Sequence, residues 1–178
     1  MKRTILIFVI LGIIKITTAQ ETEISKKLGI GFQINQYQKD FGLGLNLTSP
    51  YFANNKIAFR LRGNLMFNEY VKNAETIWEP YSNLCFGMVG SNKIINNFLR
   101  LYGEGGLITL FPTNNISSDN YVLGGYGLFG FEFYFENNTN YFIEIGGVGT
   151  GAIADKQVNK PIYSNGLLIN CGFRIQVK

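Results

Sequence analysis

Seven residues carry most of the chemistry this chain could do: Glu104, Glu132 and Glu144, with Arg60, Arg62, Arg100 and Arg174. Two carboxylates at a suitable separation can act as a general acid and a general base or nucleophile. Four arginines point to a different use. A guanidinium stays charged and pairs with a carboxylate through two parallel hydrogen bonds, which suits enclosed ion pairs. A carboxylate neutralised in that way is a poor proton donor or acceptor. The seven therefore read as an interior polar network. The same excess of cations argues against a divalent metal among the glutamates. No catalytic residue, cofactor site or metal site is assigned.

Composition narrows the chemistry further. The chain has no His, so Ser-His-Asp and Cys-His catalysis and every His-containing zinc site are excluded. Its two cysteines, Cys85 and Cys171, cannot make a four-cysteine zinc site or a disulfide-rich scaffold. Gly125-Tyr-Gly-Leu-Phe-Gly130 matches a G-x-G-x-x-G pattern. A dinucleotide site needs that pattern to follow a strand and open a helix. Here it leads into Phe131-Glu-Phe-Tyr-Phe135, which reads as strand, so nucleotide binding is not expected.

The elements that must position the seven residues show a period of two. Alternating apolar residues, the signal of strands with two different faces, recur over 28–35, 41–48, 57–68, 81–89, 98–110, 121–135, 141–150 and 166–177. Turn-forming residues separate the runs, among them Ser49-Pro50, Gly90-Ser91-Asn92 and Asn137-Asn138. The fold class expected is all-β: an eight-stranded, antiparallel, up-and-down β-barrel.

Two such barrels fit, and they are inverses. A soluble lipocalin-like barrel turns its apolar face inward around a ligand pocket. A transmembrane barrel turns that face toward lipid. The less apolar face decides between them. It carries the four arginines, the three glutamates and many of the 21 glycines, and no lysine. A solvated face uses lysine freely. Here lysines fall in connections or near strand ends, as at Lys39, Lys56, Lys93, Lys156 and Lys160. The polar face is thus expected inside and the apolar face against lipid. Aromatic residues at run ends (Tyr37, Tyr51, Phe52, Tyr70, Trp78, Tyr81, Phe111, Tyr121, Tyr134 and Tyr163) are expected to form interfacial girdles. Cys85 should face inward and Cys171 outward, both as free thiols.

Residues 1–19 read as a signal peptide: Lys2 and Arg3, an apolar run from Thr4 to Ile14, then Thr17-Thr18-Ala19. The run is too short for a spanning helix, which needs about 20 apolar residues. The formal charge of +4 then misleads. Lys2, Arg3 and Lys15 leave with the signal and no acid does, so residues 20–178 hold 13 bases and 12 acids. A nucleic-acid partner is not expected.

The chain resembles the small Bacteroidetes-type outer-membrane β-barrel proteins, similar to OmpX and the OmpA barrel. The likeness rests on Thr18-Ala19-Gln20, Arg100-Leu-Tyr-Gly-Glu-Gly-Gly106, Gly130-Phe-Glu-Phe-Tyr-Phe135, Phe142-Ile-Glu-Ile-Gly146 and Gly172-Phe-Arg-Ile-Gln176. It implies a monomeric barrel in the Gram-negative outer membrane, both termini in the periplasm and an Arg/Glu network plugging the lumen. The ending Val177-Lys178 departs from the aromatic terminal residue of many such barrels. Outer connections are expected at 36–40, 69–80, 111–120 and 151–165, the first of them short, and inner turns at 49–56, 90–97 and 136–140. Some barrels of this kind are lipid A deacylases with a His-Ser pair, a mechanism closed to this chain. The function expected is a structural, accessory or docking role among outer-membrane lipid and envelope proteins. The alternatives are a narrow pore or small hydrophobic-molecule transporter, and a secreted lipocalin-like binder.

Overall fold

The computed structural model describes residues 26–72, 74–96, 98–136 and 138–177. The expected signal peptide, 1–19, lies outside the described residues. The rest is a closed antiparallel barrel in which each strand pairs with its sequence neighbours and the last pairs with the first. The strands are β1 (Leu28–Tyr37), β2 (Asp40–Thr48), β3 (Ile57–Lys72), β4 (Glu75–Ser91), β5 (Leu99–Phe111), β6 (Val122–Glu136), β7 (Thr139–Gly149) and β8 (Gly166–Val177). Closure leaves no exposed sheet edge along the wall.

Register follows the alternation. Ile30 pairs with Leu47 and Ile175, and Phe32 with Leu45 and Phe173. Such ladders bring apolar side chains onto one surface, because successive residues point to opposite faces. That surface is the outer one. Leu45 is 63% exposed, Leu107 68% and Leu123 64%. The residues buried inside instead include all four arginines named above, none more than 2% exposed. The Leu- and Phe-rich face therefore lines no internal pocket, contrary to the lipocalin-like alternative. Gly125-Tyr-Gly-Leu-Phe-Gly130 lies within β6, with no helix after it.

The barrel has two unlike ends. Turns 49–56 and 92–98 and the tight β6–β7 connection occupy the short-turn end. Connections 38–39, 73–74, 112–121 and 150–165 occupy the long-loop end. One expected loop is instead strand. The β3–β4 ladder continues through Asn68↔Glu79 and Tyr70↔Ile77 to Lys72↔Glu75, where a loop over 69–80 was expected. Tyr70-Val71 and Thr76-Ile77-Trp78 are strong β-formers, and they extend both strands past the last apolar alternation. β5 pairs with β4 only from Ser82 onward, so Pro80 sits on an edge, where a missing N–H is tolerated.

The expected girdles also need correction. Phe52, Trp78, Phe111 and Tyr121 are exposed on the outside, but Tyr37, Tyr81, Tyr134 and Tyr163 are buried. Position near a strand end does not decide face; parity along the strand does. Tyr37 shares the parity of Gln33 and Asn35, and Tyr134 that of Glu132. At the short-turn end the outer rings come partly from residues read only as strand. Phe98 packs on Phe133 and Phe135, and Phe135 on Tyr141, with centroids 5.5 to 5.7 Å apart.

Candidate functional site

The site is the lumen itself. Arg60 and Arg62 lie two residues apart on β3, so strand alternation aims both inward. Glu104 on β5 and Glu144 on β7 face them across the barrel. Arg62 spans the two carboxylates. Its Nε and Nη2 donate to Glu104 at 2.9 and 2.5 Å, and its Nη1 and Nη2 donate to Glu144 at 2.7 and 2.8 Å. Arg60 Nη1 reaches Glu104 at 2.8 Å and Glu144 at 3.2 Å. Its Nε donates to Thr48 at 2.8 Å.

Glu132 on β6 anchors a second group nearer the short-turn end. Arg174 Nη1 pairs with it, and Arg174 Nε donates to Asn46 at 2.9 Å. Arg100 Nη1 is 3.9 Å away, with its guanidinium over the rings of Tyr51 and Tyr134 at 4.7 and 5.6 Å from their centroids. Arg60 Nη2, 3.6 Å from Glu132, joins the two groups into one network.

Neutral side chains fill the remaining acceptor sites. Tyr102 and Asn170 donate to Glu144, Tyr126 to Glu104 and Tyr134 to Glu132. Gln33, Asn35, Asn64 and Asn83 continue the chain of hydrogen bonds toward the long-loop end. Sequence reasoning placed the seven charged residues on one face but missed the three tyrosines as partners. Two glycines show how the wall admits such bulk. A Cβ on Gly130 would lie 2.2 Å from the Tyr102 ring, and one on Gly29 2.7 Å from Arg174 Cδ. The last glycine of the apparent nucleotide motif thus makes room for a tyrosine.

An eighth buried charge was also missed. Asp40 is 1% exposed. It accepts hydrogen bonds from Asn68 at 2.7 Å, from Tyr81 at 2.7 Å and from the Ser164 N–H at 2.6 Å. Its position beside Lys39 reads as a turn. Parity was the available signal, since Asp40 lies in step with Gly42, Gly44, Asn46 and Thr48, all inward. With Asp40 counted, the described residues hold four buried guanidiniums and four buried carboxylates, of which Asp40 is bonded to neutral groups alone.

Beside Asp40, beneath the long loops, the lumen also holds an apolar cluster. Met66, Ile108, Leu110 and Leu168 on the wall pack with Ile116, Ala152, Ala154 and Tyr163 from the two long loops. Tyr163 stands edge-on to Tyr81, with centroids 5.2 Å apart. Burial, helped by Asp119, Asp40 and Asp155, pushes the Tyr163 hydroxyl up to about 12. The loops are fastened to each other. Asp155 accepts from the Ser118 N–H at 2.8 Å and from the Ser118 hydroxyl, and the Lys156 N–H donates to Ile116 O at 3.1 Å. The two Ser118 hydrogen bonds hold the Asp155 carboxyl down at about 2.

Beside the loops lies an open groove of about 570 Å³. The 38–39 turn forms its floor, Asn68 to Val71 one wall and Val158 to Ser164 the other. Cys85 is buried in the lumen wall and Cys171 is exposed on the outer face, both free. Among the described residues no group of His, Cys, Asp and Glu is arranged to hold a metal ion.

This chain shares the fold of a bacterial barrel domain. The N-terminal β-barrel domain of Pseudomonas aeruginosa OprF is similar at a TM-score of 0.56 and 14% identity, over 85% of this chain and 98% of that one. Ail, the attachment invasion locus protein of Yersinia pestis, is similar at a TM-score of 0.46 and 10% identity, over 84% of this chain and 95% of that one. The second likeness is too loose to carry an argument. No family model matches the chain, and no curated protein matches it in sequence.

Proposed function

We propose that the chain is an integral outer-membrane β-barrel with a plugged lumen. Its role is structural or that of a docking component, not catalysis. One observation carries the reading: the barrel is inside out relative to a water-soluble one. A soluble monomer rarely exposes a contiguous apolar patch beyond a few hundred Å². Here the apolar surface runs along all eight strands while the ion pairs lie inside. Lipid is the medium in which both faces are satisfied, because closure pairs the backbone groups that hydrocarbon cannot solvate. The fold shared with the OprF domain and the signal-like residues 1–19 support the same location.

The pore alternative meets a specific obstacle. Arg60, Arg62, Glu104 and Glu144 are buried from solvent and bonded across the lumen. An ion would have to displace them from one another to pass. Catalysis meets another, since each glutamate is held by arginine and by tyrosine or asparagine. Docking is left to the long-loop end, where the groove and the β3–β4 ribbon are accessible.

Envelope fractionation and gel migration before and after boiling test the proposal. The expected result is recovery with outer membranes and a mobility shift on boiling. A soluble protein with unchanged migration would overturn it. Stepwise single-channel currents in planar bilayers would overturn the plugged lumen alone.

A further inference from the structure

Charge is distributed unevenly along the barrel axis. The short-turn end carries Lys26 and Lys27 before β1, Lys56 before β3 and Lys93 after β4. By sequence, the segments 26–27, 49–56, 92–98 and 136–138 hold one acid, Glu136. Glu21 and Glu23 precede Lys26, outside the described residues. The long-loop end is acidic by comparison, with Glu69, Glu75, Glu79, Asp119 and Asp155 against Lys39, Lys72, Lys156 and Lys160.

Among the described residues, none of the four short-turn lysines forms an ion pair within 4 Å. Lys27 Nζ donates to Asn138 at 2.8 Å, and Lys26, Lys56 and Lys93 are exposed. A second observation sits at the same end. Phe52 packs on Phe59 at 5.3 Å, and Phe98 and Tyr141 both pack on Phe135, forming an outward-facing belt of rings. Interfacial rings mark the depth of the headgroups. Lysine stems lie along apolar surface while their ammonium groups reach the polar layer. Rings, and ammonium groups that form no ion pair among the described residues, suit an anionic lipid headgroup, whose acyl chains meet the wall and whose phosphate meets the lysines.

We propose that the short-turn end selects anionic phospholipid in the leaflet it contacts, through Lys26, Lys27, Lys56 and Lys93. This rests on the membrane reading above. The acidic long-loop end takes no part.

Electron spin resonance of spin-labelled lipid beside the folded chain in phosphatidylcholine vesicles tests this. Labelled phosphatidylglycerol should be favoured over labelled phosphatidylcholine by about fivefold, the factor one lysine near an anionic surface supplies. The preference should fall to near unity in K26Q/K27Q/K56Q/K93Q and persist in K39Q/K156Q/K160Q. Equal association of both lipids with the unmodified chain overturns the proposal. So does a preference that survives the first variant, or one lost only in the second. If the first variant fails to insert, salt replaces it: a preference unchanged at about 1 M salt, where screening acts within about 3 Å, is equally fatal. The boiling shift is read on the same samples. Its absence in the unmodified chain sinks the membrane reading, whereas a shift without selectivity sinks this proposal only.

Discussion

The two halves of the lumen are closed by opposite chemistries. Toward the short turns, Arg60, Arg62, Arg100 and Arg174 meet Glu104, Glu132 and Glu144, with tyrosine and amide groups completing the hydrogen bonds. Beneath the long loops, Met66, Ile108, Leu110 and Leu168 meet Ile116, Ala154 and Tyr163 as a small apolar core. The first is built by residues on strands, whose direction is set by parity and whose removal leaves a charge behind. The second needs two loops to fold back, and losing one of its apolar residues leaves only a cavity. The ionic half should therefore respond to substitution more sharply, and the loop half more locally.

The largest effect should come from Arg62→Ala. It strips both Glu104 and Glu144 of their principal partner. Breaking one side of a buried ion pair typically costs about 3–5 kcal/mol. Urea titration of the folded form in detergent, scored by its gel position without boiling, would measure it. Removing one charge of each sign, as Arg62→Met with Glu144→Gln, keeps Arg60 paired with Glu104 and should recover much of the loss, since an apolar replacement of a buried pair is often near neutral. If Arg62→Ala unfolds at the same urea concentration as the unmodified chain, the ionic half does not hold the barrel as described.

Ile116→Ala should cost less, about 2 kcal/mol, the low end for a buried isoleucine because a loop can partly collapse into the space. Its signature should be local. Maleimide should reach Cys85 faster while the gel shift is retained. Unaltered labelling of Cys85 would mean that the loops do not seal that end.

Asp155 offers the smallest and most specific probe. Its folded carboxyl titrates near 2, below its unfolded range of about 4. Its contribution to loop closure is therefore complete above about pH 4 and lost as pH falls through about 2. Asp155→Asn should speed protease cleavage within 112–121 or 150–165 at neutral pH. It should also abolish the acid-induced increase in cleavage expected of the unmodified chain. A pH response identical in both would place the loop latch elsewhere.

Much of the barrel was legible in the chain, and the reasons are visible at particular residues. Ile30, Phe32 and Ile34 against Gly31, Gln33 and Asn35 announce a strand and its two faces. Where both parities are apolar the signal fails. Leu107-Ile108-Thr109-Leu110 hides that Ile108 and Leu110 point inward, so the apolar upper core went unread. Asp40 was hidden by its place next to a turn, and the β3–β4 ribbon by the charged residues Glu69, Lys72, Glu75 and Glu79, which interrupt the apolar alternation. The candidate site divides in the same way: parity put the seven charged residues on one face, but parity says nothing about which strand faces which across a closed sheet.

Composition and alternation alone thus determined the class of the fold, the chemistry of each face and the absence of histidine catalysis, because those depend on residue type and a period of two. Tertiary structure alone decided that Arg62 bridges Glu104 and Glu144, that Arg60 links them to Glu132, and that Asp155 of one loop holds Ser118 of another. Those contacts join residues 37 to 84 positions apart in sequence. Only the register and curvature of a closed barrel bring such residues within hydrogen-bonding distance.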